Sequence, residues 1–244
     1  MNHVPDRRPG VKRIAIIQSN YIPWKGYFDI INSVDEFILY DDRQFTRRDW
    51  RNRNLIKTSQ GLHWLTIPVQ VKGRFVQSID ETLISDPGWA ERHWRSIEQT
   101  YARAQHFQAF EASIRELYAG AGAKRLSDIN RRFIEGICRI LGIGTKIAWS
   151  SDYGAGGDRT ARLVDLCGKS GAREYLSGPA ARAYIEDDLF AAAGIDLIYM
   201  DYSGYPEYPQ LYGSFEHGVS IVDLIFNAGA DSPRYMKSFG VNAS

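Results

Sequence analysis

One short unit near the N-terminus restricts the fold more than anything else in the chain. Arg13 to Gln18 reads RIAIIQ, a β-branched run ending at a polar loop, which is the pattern of a buried strand. After SNYIPWK comes GYFDIINSV, whose Phe28, Ile31 and Val34 fall on one helical face. EFILYDD then reads as a second strand that ends in Asp41 and Asp42. Strand, helix and strand in so few residues make a βαβ crossover, and such crossovers imply a parallel sheet.

LHWLTIPV reads as a third strand, with Pro68 suited to an edge or a strand end. From Asp86 the period becomes helical: Asp86 precedes Pro87 as an N-cap, Gly120 and Gly122 supply the stop, and a break near residues 104–107 divides the stretch. RLSDINRRFIEGICRILGI adds an amphipathic helix with Ile129, Phe133 and Ile137 inward. The C-terminal part alternates again. KIAWSS, REYLSGP and IDLIYMDY read as strands; GDRTARLVDLCGKSG, AARAYIEDDLFAAAG and SIVDLIFNAG read as helices. The predicted fold class is α/β, a three-layer sandwich with a mostly parallel sheet. It forms one domain over residues 11–244, with a helical insertion at about 86–142 and a frayed tail at 1–10.

Cys138 and Cys167 each sit alone in an apolar helical pattern, which predicts buried reduced thiols rather than a disulfide framework or a zinc site. The five histidines are scattered without metal-ligand spacing, so neither a metal nor a cofactor is expected. No apolar run reaches the length of a membrane span and the first residues lack a signal-peptide core, so a cytoplasmic chain is expected. With 30 basic and 29 acidic residues, nucleic acid could bind only through a local patch.

Such a patch exists. YDDRQFTRRDWRNRNLIK carries Arg43, Arg47, Arg48, Arg51, Arg53 and Lys57; from Arg43 onward these six cations face only Asp49, a net +5. Arginine forks bind phosphate bidentately and stack on bases, so anion recognition is expected here, with Gln44, Trp50 and Asn52 alongside. In parallel sheets ligands bind beyond the carboxyl ends of the strands. Those ends deliver Gln18, Asn20, Tyr21 and Lys25, then Asp41 and Asp42, then Ser177 and Gly178. The first six of these are expected to line one cleft. Adjacent residues on an extended segment point to opposite faces, so only one of Asp41 and Asp42 should enter it, the other pairing with an arginine. GAGGDR before a helix reads either as a phosphate cradle or as a loop with Asp158 as N-cap. Of the histidines, His217 is the functional candidate, with Glu216 placed to orient it; His93 is the next best placed, and His63 and His106 read as structural. Lys25-Gly26-Tyr27-Phe28 takes the place of the His-x-Gly-His signature of nucleotidylyl transferases without either histidine, so any kinship there is one of topology.

QSNYIPWKGYF, RDWRNRN, YLSGPAARAYI and FEHGVSIVDLIFNAG resemble the WbqC-like family of bacterial proteins, and the similarity covers nearly the whole chain after the first ten residues. The resemblance implies a transferase in O-antigen or other surface-polysaccharide synthesis. It would move an aminoacyl group from aminoacyl-tRNA to the amino group of a nucleotide-linked amino sugar. Direct attack is expected, since no Ser-His-Asp or Cys-His set stands out. Asp41, Asp42 or His217 would take the proton, and Lys25 or Asn20 would stabilise the oxyanion. An ATP-using nucleotidylyl transferase or ligase, and a noncatalytic nucleotide-sugar or RNA-binding accessory protein, are the alternatives.

Overall fold

The computed structural model describes residues 7–240, so residues 1–6 of the predicted tail lie outside it. In chain order the strands are β1 (Arg13–Ile17), β2 (Glu36–Leu39), β3 (Arg53–Thr58), β4 (Gly61–Thr66), β5 (Lys146–Trp149), β6 (Glu174–Ser177) and β7 (Asp196–Tyr199). The helices are α1 (Lys25–Asn32), α2 (Trp89–Tyr101), α3 (Phe107–Ala119), α4 (Leu126–Leu141), α5 (Arg159–Ser170), α6 (Asp187–Ala192) and α7 (Ile221–Ala228). Five strands form one parallel sheet in the order β5-β2-β1-β6-β7.

The alternation along β1 explains the layers. Ile14 and Ile16 join Leu163, Leu166, Cys167 and Phe190 on the α5–α6 face. Ala15 joins Phe28, Ile30, Phe133, Leu224 and Phe226 on the face covered by α1, α4 and α7. Cys138 and Cys167 are free buried thiols, one in each outer layer. Among the described residues no helix is long and apolar enough to cross a membrane.

Two local readings change. LHWLTIPV is not a strand of the main sheet: β4 pairs antiparallel with β3 in a separate two-stranded ribbon. The partner strand was hidden inside the basic segment, where Asn54 and Ile56 turn inward against Leu65 while Arg53 and Leu55 face outward with Trp64. The charge masked a period of two. AARAYIEDDLFAAAG is likewise not one helix: a 3-10 turn at Pro179–Ala183 is followed by α6. Ile185 and Phe190 both enter the core but stand five residues apart, a spacing that one helical face does not serve.

His93 illustrates what the core asks of a polar side chain. Its Nδ1 lies 2.9 Å from the Tyr21 hydroxyl and its Nε2 3.2 Å from the Thr66 carbonyl. A neutral ring satisfies both, donating from Nε2 and accepting at Nδ1. Burial pushes its pKa down to about 4, with Arg92 and His63 adding to the effect against the Thr66 carbonyl. The unfolded chain therefore binds this proton first, and stability is lost as pH falls from the ordinary histidine value toward 4. The slope is at most ~1.4 kcal/mol per pH unit. Urea unfolding of wild type and His93→Gln across that window should show their stability difference changing with pH; parallel curves would remove His93 as the cause.

Candidate functional site

The strand order reverses between β1 and β6, where the chain returns from the β2–β5 side to start the β6–β7 side. The β1–β6 ladder holds only Arg13 to Glu174 and Ile14 to Tyr175, whereas β1 and β2 pair through four residues. The two central strands are thus not zipped at their carboxyl ends, and a cleft of about 640 Å³ opens there.

Three arginines line this cleft: Arg43 and Arg51 from the segment after β2, and Arg159 from the first turn of α5. The Arg43 guanidinium lies 5.0 Å from the centre of the Tyr40 ring and reaches Asp42 at 3.3 Å. Arg51 donates to the Asn20 side chain and lies 3.8 Å from Asp49. The Nε atoms of Arg43 and Arg51 are buried without a partner, so each retains donor capacity. Gln18, Gln44, Ser177 and Gly178 complete the polar lining, and Tyr175 and Tyr184 add rings. At the α5 N-terminus Asp158 occupies the cap position but makes no side-chain cap bond, which leaves the first-turn N–H groups to attract an anion.

The expected single cleft of Gln18, Asn20, Tyr21, Lys25, Asp41 and Asp42 is divided. Gln18 alone of these lines the large cleft. Asn20 lines a second pocket, of about 310 Å³, together with Trp24, Trp50, Asn54 and His217. Tyr21 is in the core, edge-on to Trp89 and Phe133. Asp41 is buried and accepts from Ser19 N at 2.7 Å, Ser19 Oγ at 2.6 Å and the Ser127 hydroxyl. Burial raises its pKa, against the pull of those bonds. Its geometry is that of a clamp joining β1, β2 and α4. Asp42 accepts from Ser150 Oγ at 2.8 Å and pairs with Arg43 and Arg162. Burial would raise Asp42, but these partners outweigh it and hold the carboxyl below its ordinary value.

Lys25 opens α1 and is buried. Its Nζ donates to the Pro206 carbonyl at 3.0 Å and lies 4.9 Å, 5.2 Å and 5.7 Å from the rings of Tyr205, Tyr208 and Phe215. Burial depresses its pKa to about 8, against the opposing charges of Asp29, Asp223 and Glu207. His217 is exposed and edge-on to Phe215 at 4.6 Å, while Glu216 accepts from Gly218 N at 3.0 Å. Asn52 is buried and donates to the Ile67 carbonyl at 2.8 Å. Arg47 and Arg48 are exposed; Arg47 donates to the Val71 carbonyl, and Arg53 lies over Trp64 on the outer face of the ribbon.

Sequence reasoning leaves Thr160, Trp24 and Tyr184 out of the site, whereas Arg43 is among the cations expected to hold an anion and Arg159 enters only through the ambiguous GAGGDR. GAGGDR held a signal for Arg159 and Thr160, because a glycine-rich approach to a helix points its first turn at the strand ends. Among the described residues no group of three or more His, Cys, Asp or Glu side chains is placed to hold a metal ion.

The family model of the WbqC-like proteins matches residues 18–235. An uncharacterized protein of Mycobacterium tuberculosis (strain ATCC 25618 / H37Rv) is 52% identical over 227 residues, covering 93% of this chain and 98% of that protein. No solved structure matches the chain.

Proposed function

The chain belongs to the WbqC-like protein family, and from that premise we propose that it is a cytoplasmic transferase of surface-polysaccharide synthesis. In this reading it moves an aminoacyl group from aminoacyl-tRNA to the amino group of a nucleotide-linked amino sugar. The observation that carries the proposal is the cleft at the point of strand reversal, with three guanidiniums, an uncapped helix N-terminus and hydroxyl and amide groups. Cations and backbone N–H groups suit a diphosphate; the tyrosines and amides suit sugar and base.

The chemistry needs little covalent help. The sugar amine attacks the ester carbonyl, the new C–N bond forms as the ester C–O bond breaks, and the ribose hydroxyl leaves. One amine proton goes to a base and the leaving oxygen receives one. His217, exposed beside Asn20 and Trp50, suits that proton transfer. Lys25 does not suit the triphosphate role that a nucleotidylyl transferase gives this turn, since its ammonium is enclosed by rings and bonded to Pro206. Burial pushes the Cys138 and Cys167 thiols up to about 12, which counts against an acyl-cysteine intermediate.

The test incubates the protein with charged total tRNA and a uridine-diphosphate amino sugar and follows the sugar nucleotide by mass spectrometry. The expected product is heavier by one aminoacyl residue and depends on charged tRNA. Product formation from free amino acid and ATP without tRNA would favour a ligase instead, and no product under either condition would overturn the transferase.

A further inference from the structure

We infer that the pocket between Trp24, Trp50 and His217 holds a nucleobase at the end of a single-stranded polynucleotide. The inference rests on the transferase reading for the identity of the strand, and on geometry for the rest. At about 310 Å³ the pocket has room for a flat bicyclic ring, and it presents two indoles and an imidazole. Asn20 lends polarity: its side-chain oxygen accepts from Arg51, which leaves its amide nitrogen to donate to a base edge.

The pocket is built in advance. Ile22 lies at φ 35, a left-handed conformation that a β-branched residue adopts only under constraint. Asn54 Nδ2 imposes that constraint, donating to the carbonyls of both Tyr21 and Ile22 at 3.0 Å, and Tyr21 N donates to the Trp50 carbonyl at 3.1 Å. The strained turn joins Asn20 to Pro23 and Trp24, all three of which line the pocket. Trp24 is fixed edge-on to Tyr202 at 5.0 Å and Tyr205 at 5.6 Å. It passes so close to Gly26 that a Cβ there would lie 2.3 Å from the indole. Backbone strain and a glycine kept clear for one ring exceed what a surface turn needs.

The platform continues outward, and this favours a strand over a small nucleotide. Trp50 is 42% exposed and its ring lies 5.3 Å from Trp64, itself 39% exposed. The Arg53 guanidinium lies 4.0 Å above the Trp64 ring. Beyond the pocket mouth there is thus a second aromatic face and a cation, where a second base and its phosphate would lie. Arg51 both lines the phosphate cleft and bonds Asn20, so the two sites meet at one side chain.

The test measures binding of three probes: a short single-stranded oligoribonucleotide, uridine diphosphate and inorganic pyrophosphate. Trp50→Leu, at an exposed position, and His217→Ala are compared with wild type by calorimetry, with circular dichroism as the check on folding. Stacking predicts a loss in oligoribonucleotide affinity of roughly 5- to 150-fold for Trp50→Leu. A smaller loss is expected for His217→Ala, with pyrophosphate and uridine diphosphate unchanged. Unaltered oligoribonucleotide binding in both folded variants would overturn the proposal. An equal loss for uridine diphosphate would also overturn it, by giving the pocket to the small nucleotide. Trp50-dependent strand binding without any acyl transfer would sustain this site while defeating the transferase.

Discussion

Arg51→Ala should weaken binding of uridine diphosphate roughly 10- to 150-fold, the range expected for losing a hydrogen bond to a charged group. The side chain is largely buried at the cleft wall, with an Nε that no protein group accepts from. Its Asn20 and Asp49 contacts aim the guanidinium without using that Nε donor. Folding should survive the change, because the structural bond at this position is made by the backbone: Asn130 Nδ2 donates to the Arg51 carbonyl at 2.9 Å. Lysine should restore only part of the affinity, since a point charge lacks the planar fork. Calorimetry on wild type, Arg51→Ala and Arg51→Lys reads the effect directly. Equal affinity in all three would remove the phosphate role from this cleft wall.

Glu174→Leu should destabilise the fold by about 3–5 kcal/mol, the usual cost of removing one member of a buried ion pair. Arg13 and Glu174 face each other at the amino ends of β1 and β6, far along the strands from the cleft, and both are essentially inaccessible. Arg13 Nε donates to Glu174 at 2.6 Å, and Arg8 adds a bond at 2.5 Å. Burial alone would raise the Glu174 pKa, but the two guanidiniums overcome it and hold the carboxyl below its ordinary value. The folded state thus prefers the ionised form, so this contribution is present above the ordinary glutamate pKa and is lost as pH falls through the lowered one. The double variant Arg13→Met with Glu174→Leu should recover much of the loss, because a buried ion pair replaced by apolar groups is often tolerated. Denaturant unfolding of the single and double variants decides it. A single variant as stable as wild type would show that the Arg13–Glu174 pair contributes nothing to the fold.

Much of the scaffold was written in local pattern. RIAIIQ, EFILYDD and the later alternation of strand and helix fixed a parallel α/β sandwich, because hydrophobic periods of two and 3.6 are properties of short segments. The same patterns placed Gln18, Ser177 and Gly178 at strand ends, and those three do line the cleft. What they could not give was strand order and side-chain direction. Whether β1 neighbours β6 depends on contacts 161 residues apart, such as Arg13 with Glu174. That pairing, with its early end, is what opens the cleft. Lys25, Asp41 and Asn20 follow their strands as read, yet each turns elsewhere: into a ring of aromatics, into a buried clamp with Ser19 and Ser127, and toward Trp50. The basic segment shows the limit most clearly. Its charge was plain in the sequence, but the tertiary structure divided it. Arg43 and Arg51 face the cleft, Arg53 lies on an outer indole and Lys57 is buried against Gln210 and Ser214. Charge is a sum over residues, whereas a site is set by where the β3–β4 ribbon turns each one, and only packing against Tyr21, Ile67 and α7 decides that.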